Sequence, residues 1–175
     1  MLNRVKQLAA ALMASISPAD EQFVARNLTR EEQKLFWRMN LPDQRHALNV
    51  AYSAQSLAQG IPGVDQSLLL KCALLHDVGK ARGDVSTADK VLTVLAHACF
   101  PFWAKRWGRL GRGSRLANLR HAFYIYFHHG QRGAELLAQL QENPLLVEII
   151  RQHHEAPADN DPMELIVLRK ADNMH

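Results

Sequence analysis

Apolar residues recur at helical spacing along almost the whole chain, and no stretch of useful length alternates apolar with polar as a half-buried strand does. That pattern restricts the fold to an all-α bundle. "NRVKQLAAALMAS" reads as an amphipathic helix, and Ser17 with Pro18 opens the next one. "TREEQKLFWRM" begins with Thr29 and Glu32 at capping-box spacing. "DQRHALNVAYSAQSLAQG" follows Pro42 and is closed by Gly60, and "IPGVD" turns into "QSLLLKCALLHD", which Gly79 can end. Ser86 or Thr87 caps "STADKVLTVLAHACF", "KRWGRLGRGSR" is a loop or broken helix, and three further helical runs finish the chain. The 175 residues contain no internal repeat and fit one domain with a sizeable core.

The stretch "LLHDVGK" ends an apolar helix with an imidazole and a carboxylate, although a charge beside a core is costly unless it is paired or bound to a metal. His76 continues the inward stripe of Leu69, Cys72 and Ala73. Four other positions behave alike. His46 shares a face with Val50 and Ala54, His129 with Ile125 and Tyr126, His153 with Ile149 and Ile150, and Asp172 with Leu165 and Leu168. Any one of these alone reads as a hydrogen-bonded core residue. Together, with Asp77 beside His76, they are satisfied most simply by one shared metal centre, since each would otherwise need its own buried partner.

Imidazoles with carboxylates suit Fe, Mn, Zn or Co, with Ni also open, and the absence of thiolates from the set argues against structural zinc. Asp77 has two oxygens and could bridge two ions, an arrangement that lowers the pKa of a shared water and clamps both oxygens of an in-line displacement at phosphorus. Lys80, at the end of "DVGK", is a fixed cation for a phosphoryl oxygen.

The segments "QRHALNVA", "ALLHDVGK", "HGQRGAELL", "IRQHHE" and "LRKADN" stand in an order that resembles the successive motifs of the HD-domain superfamily of metal-dependent phosphohydrolases, in its HDIG-type branch. The resemblance runs from about Arg45 to Asp172. By position, His46, His76, Asp77 and Asp172 match the core ligands, and His129 and His153 match the extra ligands of binuclear members. It implies a helical bundle with the metal in its centre, residues 41–175 forming the domain and residues 1–40 an N-terminal helical extension packed on it. It also implies hydrolysis of a phosphoester, of a nucleotide or related signalling molecule, with one or two divalent transition-metal ions. Asp77 and Lys80 are the expected catalytic pair, and Lys80, Arg45 and His154 are candidates for the phosphate. The chain reads "HHEAPADNDP" rather than continuing into a "DGxGYP" loop, so a cyclic dinucleotide substrate does not carry over. Two rivals use the same residues: a di-iron oxygenase and a module that binds nucleotide or metal without turnover.

Charge is unevenly spread. No acidic residue lies between Asp89 and Glu135, where eight Lys and Arg stand, so the net +4 divides into +8 there and −4 elsewhere. The aromatic, basic stretch across residues 100–120 has three readings: a grip on a nucleotide or single-stranded nucleic acid that recruits a polyanionic substrate to the metal mouth, a contact with an anionic membrane, or a solvated loop packed by its aromatics. No run reaches the ~20 apolar residues of a membrane span. With no signal-peptide layout, Cys72 and Cys99 read as reduced core thiols of a cytoplasmic protein.

Overall fold

A computed structural model of the chain describes residues 14–175. The helix expected over residues 3–15 lies almost wholly outside the described residues. Within them the chain forms α1 (Pro18–Asn27), α2 (Arg30–Trp37), α3 (Leu41–Leu57), α4 (Gln66–Leu75) and α5 (Thr87–Cys99). It continues with α6 (Pro101–Trp107), α7 (Arg115–Gln139), α8 (Pro144–Gln152) and α9 (Met163–Asp172). Among the described residues there is no β-strand, only an isolated bridge between Met39 and Ala81.

The helices start where side chains can satisfy their free amides. Ser17 with Asp20, and Thr29 with Glu32, form complete capping boxes, and Ser86 caps α5 through the Asp89 amide. Asp65 does the same for α4 by accepting from the Leu68 amide. α4 is the axis of the fold. Leu68, Leu69, Leu70, Leu74 and Leu75 are all buried, so beyond its exposed first turn the helix turns little to solvent, and α1, α2, α3, α8 and α9 pack around it. Burying each of those leucines contributes about 2 kcal/mol. Its one charge, Lys71, meets the fully buried Glu32 at 2.7 Å.

Val24 of α1, Leu28 just after it, and Leu35 and Phe36 of α2 belong to the same apolar cluster as α3, α4, α8 and α9. On the other side α5 and α6 lie against α7, which packs in turn on α8. The end of α4, with His76 and Asp77, is thereby enclosed on every side. The segment 105–115 expected as a loop or broken helix is both: α6 runs to Trp107 and irregular chain follows to Ser114. Of the two thiols expected in the core, Cys72 is buried and Cys99 is exposed at the last turn of α5. No helix among the described residues is long and apolar enough to cross a membrane.

Candidate metal centre

Gly79 has a different part from the helix stop expected of it. α4 already ends at Leu75 with His76 as its C-cap, and Gly79 instead lets the following turn press on α7. A Cβ there would stand 2.0 Å from the carbonyl oxygen of His129 and 2.9 Å from the amide of Gly133. Gly130 and Gly133 on α7 serve the same approach from the other helix: a Cβ on Gly130 would meet the Ile150 carbonyl at 3.1 Å. Arg132 pins the junction by donating to the Gly79 carbonyl at 2.8 Å and to Asp84 at 3.0 Å. Small residues where three chain segments cross therefore bring Asp77, His129 and His153 together.

Three rings are oriented alike. Nδ1 of His76 donates to the Ala73 carbonyl at 2.8 Å, Nδ1 of His129 to the Tyr126 carbonyl at 2.9 Å, and Nδ1 of His153 to the Ile150 carbonyl at 2.6 Å. A carbonyl only accepts, so the proton sits on Nδ1 and each Nε2 turns a lone pair toward the interior. Nε2 of His76 and of His153 are buried without a hydrogen-bond partner, a state that costs about 1–3 kcal/mol per group. Backbone-anchored imidazoles with free inward lone pairs are the arrangement metal-binding histidines adopt.

The candidate ligand atoms fall into two groups, each with all its atoms within 4.8 Å of one another: Asp77, His129, His153 and His154, and His46, His76 and Asp172. Asp77 faces both. Its Oδ1 is 3.3 Å from Nε2 of His129, and its Oδ2 is 3.5 Å from Nε2 of His76. In the second group Nε2 of His46 donates to Asp172 Oδ1 at 2.9 Å, and Nε2 of His76 lies 3.7 Å from the same oxygen. Both groups are sets of imidazole and carboxylate without thiolate, which fits a divalent transition-metal ion. Asp172 is held in place by the turn after it, where His175 meets the Ser53 hydroxyl at 2.8 Å on α3.

The charge states of Asp77, His129 and His153 suit ligation. Burial, joined by the positive charge of Lys80, pushes His129 well below the usual histidine pKa, and burial with its neighbour His154 does the same to His153. Both are then neutral, the form that binds metal. For Asp77, burial is outweighed by Lys80 and the surrounding imidazoles, which hold the carboxyl well below its usual range. For Lys80, burial is outweighed by Asp77 and Asp43, and the ammonium stays charged. Its Nζ lies 2.6 Å from Asp77 Oδ1. Next to it opens a cavity of about 160 Å³, lined by Asn40, Lys80, Val85, Val94, Ile125 and Tyr126 among others.

All six candidate ligands expected from the sequence are thus brought together, and so is Lys80. His154 is placed differently. Expected as a phosphate contact, it puts Nε2 2.8 Å from Nε2 of His129 and joins the first ligand group. Helical spacing sets adjacent residues about 100° apart, but α8 ends at Gln152, and beyond it His153 and His154 can face one way. Arg45 is not brought to the site. Its guanidinium forms a two-pronged pair with Asp20 on α1, at 2.9 and 3.0 Å, because the position beside His46 on α3 turns toward α1. His97, His121 and His128 stay outside both groups.

The Asp20 pair yields a stability prediction. The Arg45 guanidinium, with Ser17 and Tyr52 and against the effect of burial, depresses the Asp20 carboxyl far below the ordinary range. A depressed folded-state pKa stabilises above the unfolded value and loses that stability as pH falls through the range below about 4. Asp20→Asn is therefore expected to unfold about 2 kcal/mol more easily at pH 7 in urea titrations, with the gap to the parent narrowing below pH ~4.

A family model described as HD domain matches residues 44–175. No curated protein and no solved structure gives a match. HD domains bind divalent metals and are generally metal-dependent phosphohydrolases, in keeping with the donor sets that α3, α4, α7, α8 and α9 enclose. The match spans three quarters of the chain, the same stretch that carries every candidate ligand, and this protein belongs to the HD-domain family.

Proposed function

We propose that the protein is a phosphoester hydrolase of the HDIG-type branch, working with two divalent ions, Fe or Mn in first place. The observation that carries this reading is the position of Asp77. Its two oxygens face two separate imidazole groups while Lys80 stands 2.6 Å from one of them. His46, His76 and Asp172 are assigned to one ion, His129, His153 and His154 to the other, and Asp77 to both. Bound there, a pair of ions would supply an acidified water and neutralise charge on a phosphoryl group.

The residues of the chain supply the rest. The backbone carbonyls behind His76, His129 and His153 hold the rings in one tautomer and one orientation, so no reorganisation is needed when substrate arrives. Lys80, kept charged by Asp77 and Asp43, offers a cation to the phosphoryl oxygens. The adjoining cavity, with Val85, Val94 and Ile125 in its wall, accepts the flat or apolar part of the ester, and at about 160 Å³ it suits a group the size of a nucleobase. A charged lysine and an apolar recess side by side favour a phosphorylated substrate over the small organic substrate of an oxygenase.

The test is turnover of a panel of nucleotides and generic phosphoesters by the chain loaded in turn with Mn²⁺, Fe²⁺ and Co²⁺. Phosphate release that chelation stops and metal restores is the expected result. Oxygen consumption by the iron form without phosphate release would replace hydrolysis by oxidation. Tight nucleotide binding with no product after long incubation would leave a binding module.

A further inference from the structure

The eight cations between Asp89 and Glu135 do not all have the same fate. Lys90 pairs with Asp43 at 2.6 Å, Arg132 pairs with Asp84, and Arg120 donates to the Trp107 carbonyl. Lys105, Arg106, Arg109, Arg112 and Arg115 are all exposed, and none has an ion-pair partner among the described residues. Five uncompensated positive charges thus lie on α6 and the chain just behind it.

The apolar residues of this region face the wrong way for a soluble helix. α5 turns Thr93 inward, 1% exposed with its hydroxyl on the Asp89 carbonyl, and His97 inward against Tyr126. Leu92 and Leu95 then lie outward, 50% and 53% exposed. The same holds on α6, where Ala104 is buried while Phe102 is 88% exposed. These are not residues of a slack loop. Trp103 and Trp107 stack at 4.9 Å, Trp107 meets Phe123 of α7 edge-on, and Gly108 lets the end of α6 seat on the backbone of α7 at Tyr124. The helix is held so that Phe102 points out.

We propose that the outer face of α5 and α6, with the basic chain that follows, docks on an anionic lipid bilayer surface. The mixture of side chains selects this partner. Single-stranded nucleic acid uses cations and aromatic faces, but Val91, Leu92, Leu95 and Leu110 offer nothing to a base or a phosphate. A bilayer interface takes aliphatic and aromatic groups into the acyl boundary and cations among anionic headgroups, and so uses all three kinds. With no helix able to cross a membrane among the described residues, the contact is one of lying on the surface. The inference goes beyond the hydrolase reading and does not depend on it.

The experiment is co-sedimentation of the full chain with vesicles of phosphatidylcholine alone or mixed with phosphatidylglycerol. Partition onto the mixed vesicles only, weakened by salt, is expected. Arg106→Gln with Arg109→Gln should weaken it roughly 25-fold, about five-fold per cation. Leu92→Gln with Phe102→Gln should also release the chain, while circular dichroism and the melting temperature stay unchanged. Absence of partition, equal partition onto neutral vesicles, or insensitivity to both variants would overturn the proposal. So would binding of single-stranded RNA, of an acidic protein or of a second copy through this face in place of the vesicles.

Discussion

Asp77→Asn is expected to keep the fold and, on the hydrolase reading proposed above, to lower turnover by about 10³-fold or more. The substitution preserves volume in a site where the side chain is 2% exposed, so packing around it has no reason to change. What changes is the chemistry of the two oxygens. One becomes an amide NH₂, which donates and cannot ligate, and the negative charge facing His76, His129 and Lys80 is gone. Lys80 is left without its nearest anion, but its side chain is 21% exposed and can turn to water, which limits the loss of stability. The paired readout is therefore an intact helical spectrum with lost turnover and lost metal. Full turnover in a folded Asp77→Asn protein would remove Asp77 from the reaction.

The second large effect comes from a residue with no side chain. In Gly79→Ala the new methyl meets the His129 carbonyl oxygen at 2.0 Å and its carbon at 2.8 Å, and both are backbone atoms inside a long helix. No rotamer relieves that contact, so the turn carrying Asp77 and the helix carrying His129 must move apart. Overpacking of this kind costs about 3 kcal/mol, and for a chain of this size the melting temperature should fall by roughly 6–12 °C. The 3.3 Å approach of Asp77 to His129 is lost with it, so metal content should fall even at temperatures where the chain stays folded. Gly133→Ala is the graded control: its Cβ meets the Ile150 side chain at 3.2 Å, which can give, and a smaller effect is expected. Equal melting temperatures for Gly79→Ala and the parent would contradict the close approach.

These two residues mark how far a sequence of this kind can be read. Asp77 is legible because a carboxylate directly behind an apolar helical stripe demands a buried partner or a metal, and the same logic finds His46, His76, His129, His153 and Asp172. Helix type and most caps are legible for a related reason: periodicity of 3.6 and a Ser, Thr or Asp before it are local signals. Local rules make Gly79 a helix stop, the usual use of glycine at such a place. Its actual use depends on α7 crossing fifty residues later in the chain, which no local pattern carries. Arg45 misleads in the same way, its partner Asp20 lying on a helix whose packing the periodicity does not state. His154 escapes because helical spacing, carried one residue past the end of α8, turns it away from His153. The outward leucines of α5 escape because periodicity identifies an apolar face without saying that anything covers it.

The proposed metal centre gathers side chains from five helices and their ends. Titration of the chelator-stripped chain with Mn²⁺, read by calorimetry and by the metal retained after gel filtration, is the decisive experiment. Two ions per chain are expected, one lost in His153→Ala and the other in His46→Ala, with the helical spectrum unchanged in both. Binding no greater than to an unrelated helical protein, or full binding in both variants, would contradict the proposed centre.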